Sequence, residues 1–228
     1  MTSPSLIRQY PSIPWVAPFA IFMILLAVAP ALPIPQPWES VLRVGILSAV
    51  LLTISRDVVF SLRIQRFLPS VLLGLAVCAL WVAPDLLFPG WRAHWLFQNS
   101  ITGTIKTSIP AADLASPLVM SLRIVRAALL VPIIEELFWR GWLPRWIVNN
   151  DWQQVAMGRY TVGAFLATAV LFASEHGPYW EVGLVCGLIY NWWMWKTKSL
   201  GDLVLVHAVT NAALSGFVLA TGRYEYWM

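Results

Sequence analysis

Seven apolar stretches run along this chain, separated by short polar or proline-rich breaks, and their lengths predict helices rather than strands. The first runs from about Trp15 to Leu32, with Pro11, Pro14, Pro30, Pro33, Pro35 and Pro37 at its margins, where proline is tolerated. The second, Val41 to Ile54, is short for a crossing of about 20 residues and must tilt or borrow its flanks. The third runs from about Leu68 to Phe88 and the fourth from about Leu118 to Trp139. The fifth starts near Tyr160 and ends in FASEH, Phe172 to His176. A sixth follows from Trp180 to about Trp195, and a seventh opens at Gly201-Asp202 and closes with Tyr224, Tyr226 and Trp227. Between the third and fourth, Pro89 to Pro117 mixes Trp91, Arg92, His94, Trp95, Lys106 and Asp113, and reads as a long loop with interfacial pieces. There is no internal repeat.

Composition turns these helices into membrane spans. The 228 residues are 59% hydrophobic and 11% charged, against about 25% charged in ordinary soluble domains. The expectation is an all-α, polytopic transmembrane bundle of about 7–8 spans, one membrane domain over residues 1–228. Within it, residues 1–117 supply the N-terminal spans and the long loop, and 118–228 carry the chemistry. The N-terminus lacks a secretory cleavage pattern, so the first span is kept.

The net charge of +4 is small and its basic residues are scattered through short loops, which excludes a nucleic-acid-binding surface and fits topology signals. With the N-terminus inside, Arg8, Arg56, Arg63, Arg66, Arg140, Arg145, Arg159, Lys196 and Lys198 collect on that side. Arg43, Arg92, Lys106, Arg123, Arg126 and Arg223 fall opposite, a lean of nine to six. Cys78 and Cys186 lie in apolar runs without a CxxC partner and read as buried small side chains.

A few polar residues break the apolar pattern. Asp85, beside Pro84 and Pro89, reads as an interfacial, solvated carboxylate, and His94 as an interfacial histidine. Arg123 and Arg126, near the start of the fourth helix, can snorkel to the surface. PIIEELFWRGWLPRW, Pro132 to Trp146, is different: it sets Glu135, Glu136 and Arg140 in an apolar run, where each charge costs roughly 2.5–3.5 kcal/mol to insert. Glu136 and Arg140 are i and i+4 and should pair. Glu135 points about 100° away and lacks that partner, so it is a candidate general base or acid. His176 ends the fifth run, and His207 and Asn211 share one face of the seventh.

Two chemistries suit this set. In one, Glu135 and His176 activate a water that attacks a peptide carbonyl, and His207 with Asn211 binds the oxyanion. In the other, Glu135, His176 and His207 bind Zn²⁺ as a His₂Glu set. HExxH, G-x-S-x-G and paired intramembrane aspartates are all absent. A non-proteolytic scaffold or immunity partner, with the polar groups as interhelical glue, is a reading from another class. A transporter would want repeat symmetry that the chain lacks. Straight, perpendicular helices would not bring these groups to one depth: His207 sits only about 9 Å from the start of its span by the 1.5 Å rise. Tilted or unevenly deep helices, or a short buried loop at Gly177-Pro178, would repair this.

EELFWR, FASEH and HAVTN match EExxxR, FxxxH and HxxxN in order and separation. In this the chain resembles the CAAX-protease and bacteriocin-processing (Rce1-like) family of glutamic intramembrane proteases, over about Leu118 to Trp227. The resemblance implies a metal-independent endopeptidase with Glu135 and His176 activating water, His207 and Asn211 at the oxyanion, and Glu136 and Arg140 as structural support. EELFWRGWLPRW, TKSLGDLVLVHAVTN and LATGRYEYWM resemble a narrower bacterial group found with exosortase and PEP-CTERM sorting systems. That implies a multi-pass protein of a bacterial cytoplasmic membrane, a membrane-anchored peptide or C-terminal sorting signal as substrate, sorting-system partners, and no cofactor.

Overall fold

The computed structural model describes residues 4–107, 110 and 113–227. Residues 108, 109, 111 and 112 of the expected long loop, and the termini 1–3 and 228, lie outside it. Every one of the seven apolar runs folds as a helix: α1 (Ile13–Val28), α2 (Trp38–Thr53), α3 (Phe67–Leu87), α4 (Pro117–Val148), α5 (Val162–Ser174), α6 (Trp180–Thr197) and α7 (Leu200–Thr221). Short helices at Pro4–Gln9 and Arg56–Ser61 and several one-turn segments join them. Among the described residues there is no strand, and one isolated bridge joins Asn99 and Gly103.

Three helices, α3, α4 and α7, are long and apolar enough to cross a membrane, and α1 and α5 are shorter apolar helices. Leu68, Leu72, Leu75 and Leu80 on α3 and Val162, Leu166 and Val170 on α5 point outward, an arrangement that suits lipid rather than water. The protein is a membrane helix bundle. At 32 residues α4 is about 48 Å long, well beyond the fourth span expected from the sequence, which ended at Trp139.

Helix α7 is central. It runs along α3, where a Cβ on Gly74 would meet the Val206 carbonyl at 2.7 Å, so only glycine allows this approach. Its start is held by Ser199, whose hydroxyl accepts from Asp202 N, and by Asp202, whose carboxylate accepts from the backbone N–H groups of Gln65 and Arg66 at 2.6 and 2.9 Å. Leu47, Val77, Ile134, Leu137, Phe172, Tyr190, Leu203 and Val206 close the core around it.

Asp85 departs from expectation. Its side chain is only 4% exposed, paired with Arg92 at 2.9 Å and accepting from the Tyr226 hydroxyl at 2.9 Å. Arg92 is buried as well, donating to the Pro178 carbonyl and Glu181 and lying 4.2 Å over the Tyr179 ring. The C-terminal turn Tyr224–Tyr226 folds back over the end of α3 and supplies a partner far away in sequence. His94 is exposed, in line with an interfacial position.

Candidate active site

The backbone of α4 is not uniform. Arg126–Leu130 and Leu137–Trp142 are π-helical, and each precedes a proline, Pro132 and Pro144. A proline ring collides with the carbonyl four residues before it and brings no N–H; widening the turn to five-residue spacing relieves the collision. Val131 N–H accordingly bonds to Arg126 O, and Leu143 N–H to Phe138 O. Glu135 and Glu136 sit in the α-helical turn between the two widened segments.

The expected pair is present. Arg140 Nη1 donates to both oxygens of Glu136, at 3.0 and 3.2 Å, with the two side chains 1% and 0% exposed. Arg140 Nε donates to Asn191 Oδ1 at 3.0 Å, and Asn191 Nδ2 in turn donates to Phe165 O and Thr168 Oγ1. The guanidinium lies 4.3 Å over the Phe172 ring and 5.3 Å from the Tyr190 centroid. Pairing and hydrogen bonding of this kind make a buried ion pair tolerable. Glu136 has a further partner that helical spacing does not reveal: His207 Nδ1–H donates to its Oε1 at 2.8 Å. A carboxylate only accepts, so Nδ1 carries the hydrogen and Nε2 is the nitrogen left to the cavity.

His176 lies beyond the end of α5, at the start of the turn Gly177–Tyr179, where Pro178 and Tyr179 are buried. Past this turn the chain enters α6, and the side chain of His176 lines the same cavity as Glu135, His207 and Asn211. His176 Nδ1–H donates to Phe172 O at 2.8 Å, and Trp81 packs edge-on to the ring. Phe172 thereby serves twice, with its carbonyl on His176 and its ring over Arg140. A Cβ on Gly183 would come within 3.1 Å of the His176 ring, so any larger residue there would press on the ring by a few tenths of an ångström.

Asn211 Nδ2 donates to Ala127 O at 2.8 Å. That carbonyl lies in the first π-helical segment, with Val131 N–H bonded instead to Arg126 O and Pro132 lacking an N–H. Asn211 satisfies the acceptor that the proline orphans. Glu135, His176, His207 and Asn211 all line one cavity of about 240 Å³, together with Trp81, Cys186, Tyr190, Thr210 and Trp227. Arg123 and Arg126 also line it, turned inward rather than snorkelling away. Among the described residues, no three His, Cys, Asp or Glu side chains are grouped to hold a metal ion.

Several contributors escaped sequence reasoning. Asn191, in LIYNWW, is a polar residue in an apolar helix and was visible by that signal alone. Glu175, accepting from Trp139 Nε1 at 3.1 Å, and Tyr190, donating to Thr210 Oγ1 at 3.0 Å, were not.

Residues 117–213 match the family model described as type II CAAX prenyl endopeptidase Rce1-like. Over this segment the chain is similar to the Rce1-like family. The Rce1-like region begins with α4 and ends two residues past Asn211, so it spans all three motifs and the cavity residues they supply. It is a protease family, and the match supports a membrane peptidase of CAAX-protease type. No curated protein and no solved structure matches the chain.

Proposed function

We propose that this Rce1-like protein is a glutamic intramembrane endopeptidase in which Glu135 and His176 activate the attacking water. The reading is carried by one observation: Glu135, His176, His207 and Asn211 arrive from three separate parts of the chain to line a single cavity. Glu135, together with the free Nε2 of His176, takes the proton of a water as it adds to the peptide carbonyl. The carbonyl becomes a tetrahedral oxyanion, which His207 Nε2–H and the second amide hydrogen of Asn211 stabilise. Donation from Nε2 requires His207 as imidazolium, and Glu136 is its counter-charge. The held proton then passes to the amine as the C–N bond breaks, leaving a carboxylate and a free amine.

The water-activating step as proposed uses Glu135 and His176 alone and is routed through no metal. For the substrate, the family supports a membrane-associated peptide. The narrower resemblance of EELFWRGWLPRW and its companion stretches favours a C-terminal sorting signal, in a bacterial cytoplasmic membrane with sorting-system partners. Proteomics of membrane-protein C-termini tests this. Cells carrying the intact chain should show new C-termini that vanish with Glu135→Gln while the protein still inserts, and persistence of the cleaved ends in that variant would overturn the assignment.

A further inference from the structure

The active-site cavity does not end at its polar groups. Arg123 and Arg126 line it and also line a second cavity of about 650 Å³, walled by Leu26, Gln36, Glu39, Arg43 and Val119 among others. The charge on this wall is unbalanced. Glu39 is already ion-paired with Arg43 and accepts from Gln36 Nε2 at 2.9 Å. Arg126 shares this second cavity with Asp113, the other carboxylate on its wall, while Arg123 lies 5.3 Å from the Trp227 ring centroid. The Arg126 side chain makes no ion pair or hydrogen bond with the described residues, although it lies ten residues into an apolar helix. An arginine so placed is stabilised by a counter-anion, and its planar fork of donors suits a carboxylate.

The spacing on α4 ties this cation to the chemistry. Arg123, Ala127, Val131 and Glu135 recur every four residues and all line the active-site cavity, so they form one face of the helix. Arg126 stands beside this stripe, nine residues before Glu135, or roughly 13 Å along the axis. An extended peptide laid on the stripe would place its reacting carbonyl at Glu135 and an anionic group at the arginines.

We propose that Arg126, with Arg123 beside it, is a specificity-determining anion subsite that takes a carboxylate of the peptide substrate. The inference rests on the peptidase reading for the identity of the ligand, and its test is a binding measurement that needs no cleavage. A dansyl-labelled apolar hexapeptide is prepared with a free C-terminal carboxylate and, separately, as the C-terminal amide. Each is titrated by fluorescence anisotropy into the detergent-solubilised Glu135→Gln protein.

The acid should bind at least tenfold more tightly than the amide. Adding Arg126→Gln should bring the acid to the affinity of the amide, while Arg126→Lys, which keeps the charge, should retain part of the preference. Equal binding of acid and amide to the Glu135→Gln protein, no saturable binding of either, or a preference untouched by Arg126→Gln would overturn the subsite. The same titration in nanodiscs with and without phosphatidylglycerol separates a lipid source: an Arg126-dependent effect of that lipid with no acid preference assigns the arginine to a headgroup and also overturns the proposal. If Arg126→Gln unfolds, Arg123→Lys and Arg126→Lys in the same assay carry the test. Cleavage by the parent with no acid preference would sink the subsite alone, whereas an acid preference without cleavage by the parent would sink the peptidase reading alone.

Discussion

His207 Nδ1 and Glu136 Oε1 lie 2.8 Å apart, although 71 residues separate them in the chain. Glu136 is therefore more than the partner of Arg140. It fixes the ring orientation of His207 and supplies negative charge next to it, which makes it a positioning residue for the group assigned to the oxyanion.

Glu136→Gln keeps an acceptor for His207 and removes the charge. Cleavage should fall by roughly 10²-fold, the scale of a lost oxyanion donor, with little loss of fold. Glu136→Ala should also destabilise the protein by about 3–5 kcal/mol, since Arg140 stays buried without its counter-charge. Turnover and thermal unfolding in detergent separate the two effects, and a fully active Glu136→Gln protein would remove the positioning role.

Asn211→Ala leaves Ala127 O without a donor and should cost about 1–3 kcal/mol. Pro132→Ala restores an amide near the same carbonyl, so the loss should be smaller in that background, with a coupling of about 0.5 kcal/mol or more. Additive losses in the double-mutant cycle would show that Pro132 and Asn211 act independently.

Gly183→Ala inserts a methyl 3.1 Å from the His176 ring. Either the ring or α6 must shift by a few tenths of an ångström. Cleavage should drop by about tenfold or more from misplacement alone, with unfolding temperature nearly unchanged. Unaltered turnover would mean that His176 tolerates displacement and is not held for chemistry.

Arg92→Met strands the buried carboxylate of Asp85 and should cost about 3–5 kcal/mol. Tyr226→Phe removes one of the bonds to Asp85 and should cost about 1 kcal/mol. Unfolding curves check both, and equal effects would contradict the central place of the ion pair.

Exhaustive chelation of the purified protein should leave cleavage unchanged, because the proposed step activates water with Glu135 and His176 alone. Loss of activity restored by Zn²⁺ would favour the His₂Glu chemistry.

The sequence by itself determined the seven helices, because long apolar runs with few polar breaks satisfy their backbone hydrogen bonds within one helix. It also determined the Glu136–Arg140 pair, which is local, and it singled out Glu135, His176, His207 and Asn211 as polar groups in apolar surroundings. Tertiary structure alone decided how they meet. The buried turn at Gly177–Tyr179 brings His176 into the bundle, the π-helical segments before Pro132 and Pro144 shift the face that α4 presents, and Asn191 reaches Arg140 from α6. Asp85 is buried, contrary to its reading as solvated, because Arg92 and the returning Tyr226 cover it. Spacing within one helix fixes which side chains share a face; which faces oppose one another depends on packing between segments 50 or more residues apart, such as the 51 between Arg140 and Asn191.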